Sequence, residues 1–283
     1  MNDNKKTVKV AVIGGDARQL FLAEHLAEDG YTVHTFQIDD NIPGVSKCKS
    51  PGDIALCSAV ILPVKPKDNI DIHICGIDAV PGAVLFAWDP EDASLENAAA
   101  HGWTVCDLAT DETLTVKNAQ ITAEAALSIF MTETKISVLA SRILVLGSGR
   151  VAKCVCRSFS ALGANATMMA RSDGELAWAQ LSHWNTVDIR DDTARLRAYA
   201  SGYDAIINTI PRRIITGCTL DAIPENTLLI DLASAPFGFD TEEARSRGIN
   251  AHRASALPGK YAPESAAALI AECVVRRLEG GAL

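Results

Sequence analysis

The strongest constraint in this chain is the stretch Arg142–Arg171, RILVLGSGRVAKCVCRSFSALGANATMMAR. An apolar run from Ile143 to Leu146 leads into Gly147-Ser148-Gly149-Arg150-Val151-Ala152, a helical pattern closes at Gly163, and a second apolar run ends at Arg171. Strand, glycine turn, helix and strand in that order predict a βαβ unit carrying the dinucleotide fingerprint, with Ala at its third small position. Gly147 allows the tight turn, Gly149 removes the side chain that would keep a pyrophosphate off the backbone, and Ala152 lets helix and strand close up. The helix N-terminus at Ser148 to Val151 then offers unpaired N–H groups and a positive dipole end to phosphate.

The end of the second strand bears on which cofactor binds. An NAD site places Asp or Glu there, about 20 residues past the glycines, to bind the ribose 2′-OH. Arg171-Ser172 fill the position instead. A guanidinium and a hydroxyl suit a 2′-phosphate, so the sequence predicts NADP(H) over NAD(H); the competing reading is a solvated surface arginine.

With 283 residues, 48% hydrophobic and 22% charged, the chain is an ordinary globular one with room for two domains. Its net charge of -9 opposes nucleic acid or an anionic membrane as partner, so an anionic small molecule must find local positive sites. The N-terminal MNDNKKTVKVAVIGG holds no apolar signal-peptide core and no run long enough to span a membrane, so a cytoplasmic location is expected. Eight cysteines include no CxxC pair, and Cys154 and Cys156 would point to different faces of a helix. Buried reduced thiols and no metal site are expected.

At the N-terminus, Lys9 to Gly14 predicts a strand, and Gly14-Gly15-Asp16 turns it into a helix capped by Asp16 with Gln19 three residues on, ending near Asp29. Tyr31 to Phe36 follows as a strand. This opening unit lacks GxG spacing, and Asp16 would repel a phosphate. Gly14 to Arg18 therefore reads either as a substrate-facing loop, with Arg18 for a carboxylate, or as a capped helix with a solvated arginine. Strands at Ser58–Val64, Ala83–Trp88 and Trp103–Asp107, with a helix from Pro90 to Ala100, extend a mainly parallel sheet. Ligands bind beyond the carboxyl ends of such strands, which places Gly14 to Arg18 and Pro63 to Lys65 on the candidate face.

A long helix starting at Thr122 is expected to link two domains, with Glu124 facing a cleft between them or helping to cap the helix. Past the fingerprint come helices near 174–183 and 191–200. Strand Asp204–Asn208 ends in Asn208-Thr209-Ile210-Pro211, and strand Thr227–Leu232 ends in Asp231-Leu232-Ala233-Ser234. These polar turns either wall the nicotinamide ribose or are turns and nothing more. A helix near Thr241–Arg247 and a strand Ile249–His252 precede Ser255 to Pro263, with Pro258 and Lys260, which leads into a last helix from Glu264 to Leu278. The expected architecture is α/β, with two Rossmann-like doubly wound parallel-sheet domains and an inter-domain cleft, as in 2-hydroxyacid and alanine dehydrogenases. A substrate or partner domain covers 1–121, a linking helix 122–140 and the NADP-binding domain 141–262, while 263–283 packs back on the first.

Taken together, VAVIGGDAR, the ILPV strand, Asn118 with Thr122-Ala123-Glu124, VLGSGRVA, NTIP, IDLAS and LPGKYAP make a chain that resembles the dipicolinate synthase A-subunit family from end to end. It departs from the family pattern at Gln120-Ile121, where Ile-Pro is expected, and at Pro236-Phe237-Gly238, where Pro-Gly-Gly is expected. The resemblance implies an NADP-linked enzyme of the sporulating mother cell, oxidising a dihydrodipicolinate-type product of the lysine branch to pyridine-2,6-dicarboxylate. It also implies a flavoprotein-like partner, the B subunit of dipicolinate synthase; a homo-oligomer is left open. For such a dicarboxylate, Arg18, Lys65, Arg150 and Lys260 are the candidate cations, and Glu124 or Asp16 the candidate base. Two other readings compete. A 2-hydroxy acid or alanine dehydrogenase relative fits the layout, although no arginine follows Asp231. So does a non-catalytic scaffold that binds NADP for the B subunit.

Overall fold

The computed structural model describes residues 7–66, 70–190 and 194–280. In chain order its elements are β1 (Lys9–Ile13), α1 (Ala17–Glu28), β2 (Thr32–Phe36), β3 (Ser46–Lys47), α2 (Pro51–Ile54), β4 (Ala59–Ile61), α3 (Ile70–Cys75), β5 (Val84–Ala87), α4 (Asp92–Ala100), β6 (Thr104–Asp107) and α5 (Glu112–Glu133). There follow β7 (Arg142–Leu146), α6 (Arg150–Ala161), β8 (Asn165–Ala170), α7 (Asp173–Leu181), β9 (Asn185–Asp188), α8 (Ala194–Tyr199), β10 (Ala205–Asn208), α9 (Gly217–Leu220), β11 (Leu228–Asp231), α10 (Thr241–Ser246), β12 (Asn250–Arg253), α11 (Leu257–Tyr261) and α12 (Pro263–Gly280). They form two units: Met1–Asn118 with Gly259–Leu283, and Ala119–Pro258.

Each unit is built on a six-stranded sheet whose strands pair in parallel, in the orders β3-β2-β1-β4-β5-β6 and β12-β11-β10-β7-β8-β9. Read from the first strand of each unit, both are the 3-2-1-4-5-6 order of a doubly wound nucleotide-binding fold. The central strands explain why. In β1, Val10 and Val12 enter one apolar cluster and Ala11 and Ile13 another, so both faces are covered. β7 does the same, Ile143 and Val145 on one side and Leu144 and Leu146 on the other. A strand apolar at every position has no solvent face and belongs mid-sheet under helices.

The last helix completes the first unit. Ala267, Ile270, Ala271 and Val274 of α12 share a core cluster with Leu22, Ala23 and Leu26 of α1. Arg276 pairs with Asp111, and Lys117 with Glu272 at 2.7 Å.

Some elements differ from expectation. Asp16 caps α1 through a bond from the Arg18 N–H, but Gln19 donates its side-chain amide to the Ile13 carbonyl instead of closing a capping box. The long helix starts at Glu112, where buried Asp111 accepts the Leu114 N–H. Thr113, Thr115, Val116 and Asn118 are weak helix formers that hide this first half, and capping and packing override them. Thr122 and Glu124 are accordingly mid-helix, and the helix stops at Glu133. Strands β3 and β9 and helices α2, α3, α9 and α11 are additions to the expected set. The expected helix start at Asp191 lies outside the described residues. Among the described residues, no helix is long and apolar enough to cross a membrane, and no group of three or more His, Cys, Asp or Glu could hold a metal ion.

Candidate functional site

In the second unit the glycine turn sits at the carboxyl end of central strand β7. Gly147 has φ +111, a region L side chains avoid, and its N–H donates to the Met169 carbonyl at 3.0 Å. A Cβ here would collide with the Thr209 hydroxyl, which itself donates to the Leu146 carbonyl at 2.8 Å. The β10 turn is thus clamped onto the β7 turn. Gly149, the N-cap of α6, differs: it has no side chain to cap the helix, and nothing lies within 4 Å of where a Cβ would stand. The approach to the first N–H groups of α6 is open, and a dinucleotide pyrophosphate fits it. Ala152 is fully buried against the sheet.

Next to this turn lies a cavity of about 410 Å³ lined by Gly147, Ser148, Arg171, Ile189, Ile210 and Ile214, together with Arg190 and Arg212. Arg171 is exposed at the end of β8. The Ser172 oxygen accepts the Glu175 N–H as cap of α7, leaving its own proton to donate. Arg190, just beyond β9, is bonded by Asp188 and then Asp173, which raise its pKa above the usual arginine value. Arg190 and Arg212 are the residues sequence reasoning missed. Recognising β9 would have found the first, and the NTIP turn leads directly to the second.

Asn208 and Asp231, at the ends of neighbouring strands, are both 0% exposed. The Asn208 amide donates to Asp231 Oδ1 at 2.8 Å and to the Ile210 carbonyl at 3.0 Å, while Asp231 also accepts the N–H groups of Ala233 and Gly238, the latter at 2.7 Å. With their polar atoms turned on one another, these side chains shape the two turns, and the cavity wall is left to Ile210. Phe237, standing where Gly is the expected residue, has φ +66 and carries Arg253 4.1 Å above its ring. Arg150 is exposed on the first turn of α6, Val151 is half-buried beside it, and Ala233 and Pro258 are buried. Glu124, on the exposed face of α5, accepts a bond from Gln120 at 3.0 Å; Gln120 in turn accepts from Arg157.

The equivalent crevice of the first unit is closed. A Cβ on Gly15 would stand 2.5 Å from Pro63, so the β1 and β4 turns fill each other and leave no cradle for a pyrophosphate. Asp16 and Arg18 form a two-pronged ion pair, Nε to Oδ1 at 2.8 Å and Nη2 to Oδ2 at 2.6 Å, with Arg18 only 4% exposed. Gly259 lies on top of it: a Cβ there would stand 2.7 Å from an Asp16 oxygen and 2.8 Å from Arg18 Nε. The GGDAR turn and Gly259 are thereby brought together. Lys260 is exposed one residue further on. Lys65 lines a separate cavity of about 380 Å³ with Trp88, Asp89, Glu91 and Ser94.

Residues 9–75 match the family model for the N-terminal domain of the A subunit of dipicolinate synthase. The A subunit of Bacillus subtilis dipicolinate synthase is 31% identical over 96% of this chain and 96% of its own length. The solved structure of the dipicolinate synthase A chain from Bacillus subtilis superimposes with TM-score 0.84 at 28% identity, covering 98% of both chains. The A subunit from Bacillus halodurans gives TM-score 0.84 at 26% identity, covering 97% of this chain and 98% of its own. More distant structures share the fold, among them the D-lactate dehydrogenase of Escherichia coli, with TM-score 0.67 at 13% identity over 98% of both chains.

Proposed function

Since the chain belongs to the dipicolinate synthase A-subunit family, we propose that it oxidises a dihydrodipicolinate-type dicarboxylate to pyridine-2,6-dicarboxylate with NADP⁺. The observation that carries this reading is the open approach beside Gly149 together with exposed Arg171 on the cavity rim. NADP⁺, when bound, accepts a hydride, and the ring loses one further proton as it becomes aromatic. Backbone N–H groups of Gly149, Arg150 and Val151 hold the pyrophosphate, and Arg171 and Ser172 hold the 2′-phosphate. Asn208 and Asp231 keep Thr209 and Ile210 in place along the cofactor. Lys65, Lys260 and the Asp16–Arg18 pair supply the polar groups for the substrate carboxylates. Glu124, with one hydrogen bond to Gln120, is the base less encumbered than Asp16, which already accepts two charge-assisted bonds.

A flavoprotein-like B subunit is the expected partner, and the cytoplasm of a sporulating mother cell the expected location. The test is to give the purified chain freshly prepared dihydrodipicolinate with NADP⁺ or NAD⁺ and follow reduced nicotinamide. Formation of NADPH by the chain alone supports the proposal. No NADPH until the B subunit is added would replace it with a cofactor-binding scaffold, and turnover of 2-hydroxy acids in place of dihydrodipicolinate would make it a different dehydrogenase.

A further inference from the structure

Resting on the NADP reading, we infer that the 2′-phosphate is gripped from two loops, by Arg171 beyond β8 and by Arg212 beyond β10. Three arginines line the 410 Å³ cavity beside Gly147. Arg190 is held by two carboxylates, Asp188 and Asp173, at 2.6 and 2.7 Å. Its charge is more than cancelled, and the pair of carboxylates would repel a phosphate left to Arg190 alone. Neither Arg171 nor Arg212 has a side-chain partner among the described residues. Neighbouring Arg213 is different, reaching Asp240 at 3.8 Å. Two uncommitted guanidinium groups on the wall of one cavity, in a chain of net charge -9, make a local anion site.

The site's position argues for the 2′-phosphate. The pyrophosphate has its own donors at the N-terminus of α6, and the 2′-position is the one addressed from the end of the strand that follows the fingerprint helix, where Arg171 stands. Ile189, Ile210 and Ile214 give the same cavity apolar walls suited to an adenosine. The position of Arg212 two residues after Ile210 is fixed by the turn that Asn208 closes through the Ile210 carbonyl and Thr209 clamps to β7. Discrimination between the two cofactors is therefore shared by β8 and β10, and removing either arginine leaves half of the grip.

The experiment uses 2′,5′-ADP and 5′-ADP, which bind without turnover, titrated calorimetrically into the full chain as wild type, Arg171→Ala, Arg212→Ala, Arg212→Lys and the double alanine variant. Arg212 is exposed, and circular dichroism with thermal melts confirms that each variant is folded. The expected result is that Arg212→Ala weakens 2′,5′-ADP by roughly tenfold or more while 5′-ADP changes by less than about twofold, that lysine restores part of the loss, and that the double variant no longer prefers 2′,5′-ADP. Equal weakening of both nucleotides would overturn the inference by placing Arg212 on the adenine or the 5′-phosphates, and unchanged 2′,5′-ADP binding in Arg212→Ala would overturn it outright. A wild type that binds the two nucleotides alike fails the NADP reading itself, a result separate from either.

Discussion

Gly149 and Gly238 each lack a side chain for a different reason, and alanine at each separates binding from folding. At Gly149 a methyl group would enter open space with φ already at -72°, so Gly149→Ala is expected to keep its melting temperature within about 2 °C while weakening NADP⁺ binding by roughly tenfold or more. At Gly238 the methyl would overlap the Asn208 amide, so Gly238→Ala should lose about 1–3 kcal/mol in urea unfolding, whatever its effect on nucleotide. Asp231→Asn turns an amide N–H toward groups that already donate, and about 1–3 kcal/mol of stability is expected to go with it. A nucleotide-binding loss in Asp231→Asn with unchanged urea midpoint would instead make Asp231 a direct cofactor ligand.

Among the elements, α5 and α12 meet at Asp111. Burial works to raise the pKa of this carboxyl, but the Leu114 N–H and the Arg276 guanidinium outweigh it and leave the pKa below the ordinary carboxylate value. A folded-state pKa below the unfolded one means that the stabilisation is complete above the unfolded value, about pH 3.9, and is lost as pH falls through the folded one. Urea midpoints should accordingly be flat for this group from pH 5 to 7 and fall below about pH 4, and Asp111→Asn should flatten that acid limb. Removing the cap with Asp111→Ala is expected to cost about 1–2 kcal/mol at neutral pH. The same elements show what could be read beforehand. The buried central strands announce themselves as unbroken apolar runs, and the glycine turn follows from its spacing. The short edge strands β3 and β9 do not, because exposed Asn185 and half-buried Asp188 carry no alternation strong enough to see. Arg171 is legible because it ends a recognisable strand, whereas Arg190 and Arg212 reach the cavity only through an unsignalled strand and a turn folded onto a distant glycine. For polar Asn208 and Asp231 at strand ends the sequence leaves a wall for the ribose and a plain turn both open; what it does not show is that strand order makes them neighbours bonded to each other.

At the scale of the whole molecule, the thiols and the unit boundary both make predictions. Cys156, fully buried, is pushed up to about 12 by desolvation, and burial raises Cys57 and Cys273 to about 11. Such thiols carry almost no thiolate at neutral pH, so a thiol reagent should modify exposed Cys218 first, Cys218→Ser should abolish that fast phase, and most of the eight should react only on unfolding. The second unit is one continuous segment, Ala119–Pro258, holding the fingerprint, Arg171 and Arg212. Expressed alone it is expected to bind 2′,5′-ADP within about tenfold of the full chain by calorimetry. The first unit is closed only when α12 reaches α1, which sets a timetable for synthesis. Everything in the later unit is translated before the segment that finishes the earlier one, so domains fold in the reverse of their order along the message. A chain cut after Pro258 would display a finished second unit behind an N-terminal half with the apolar side of α1 still wet, the form in which a chaperone would find it.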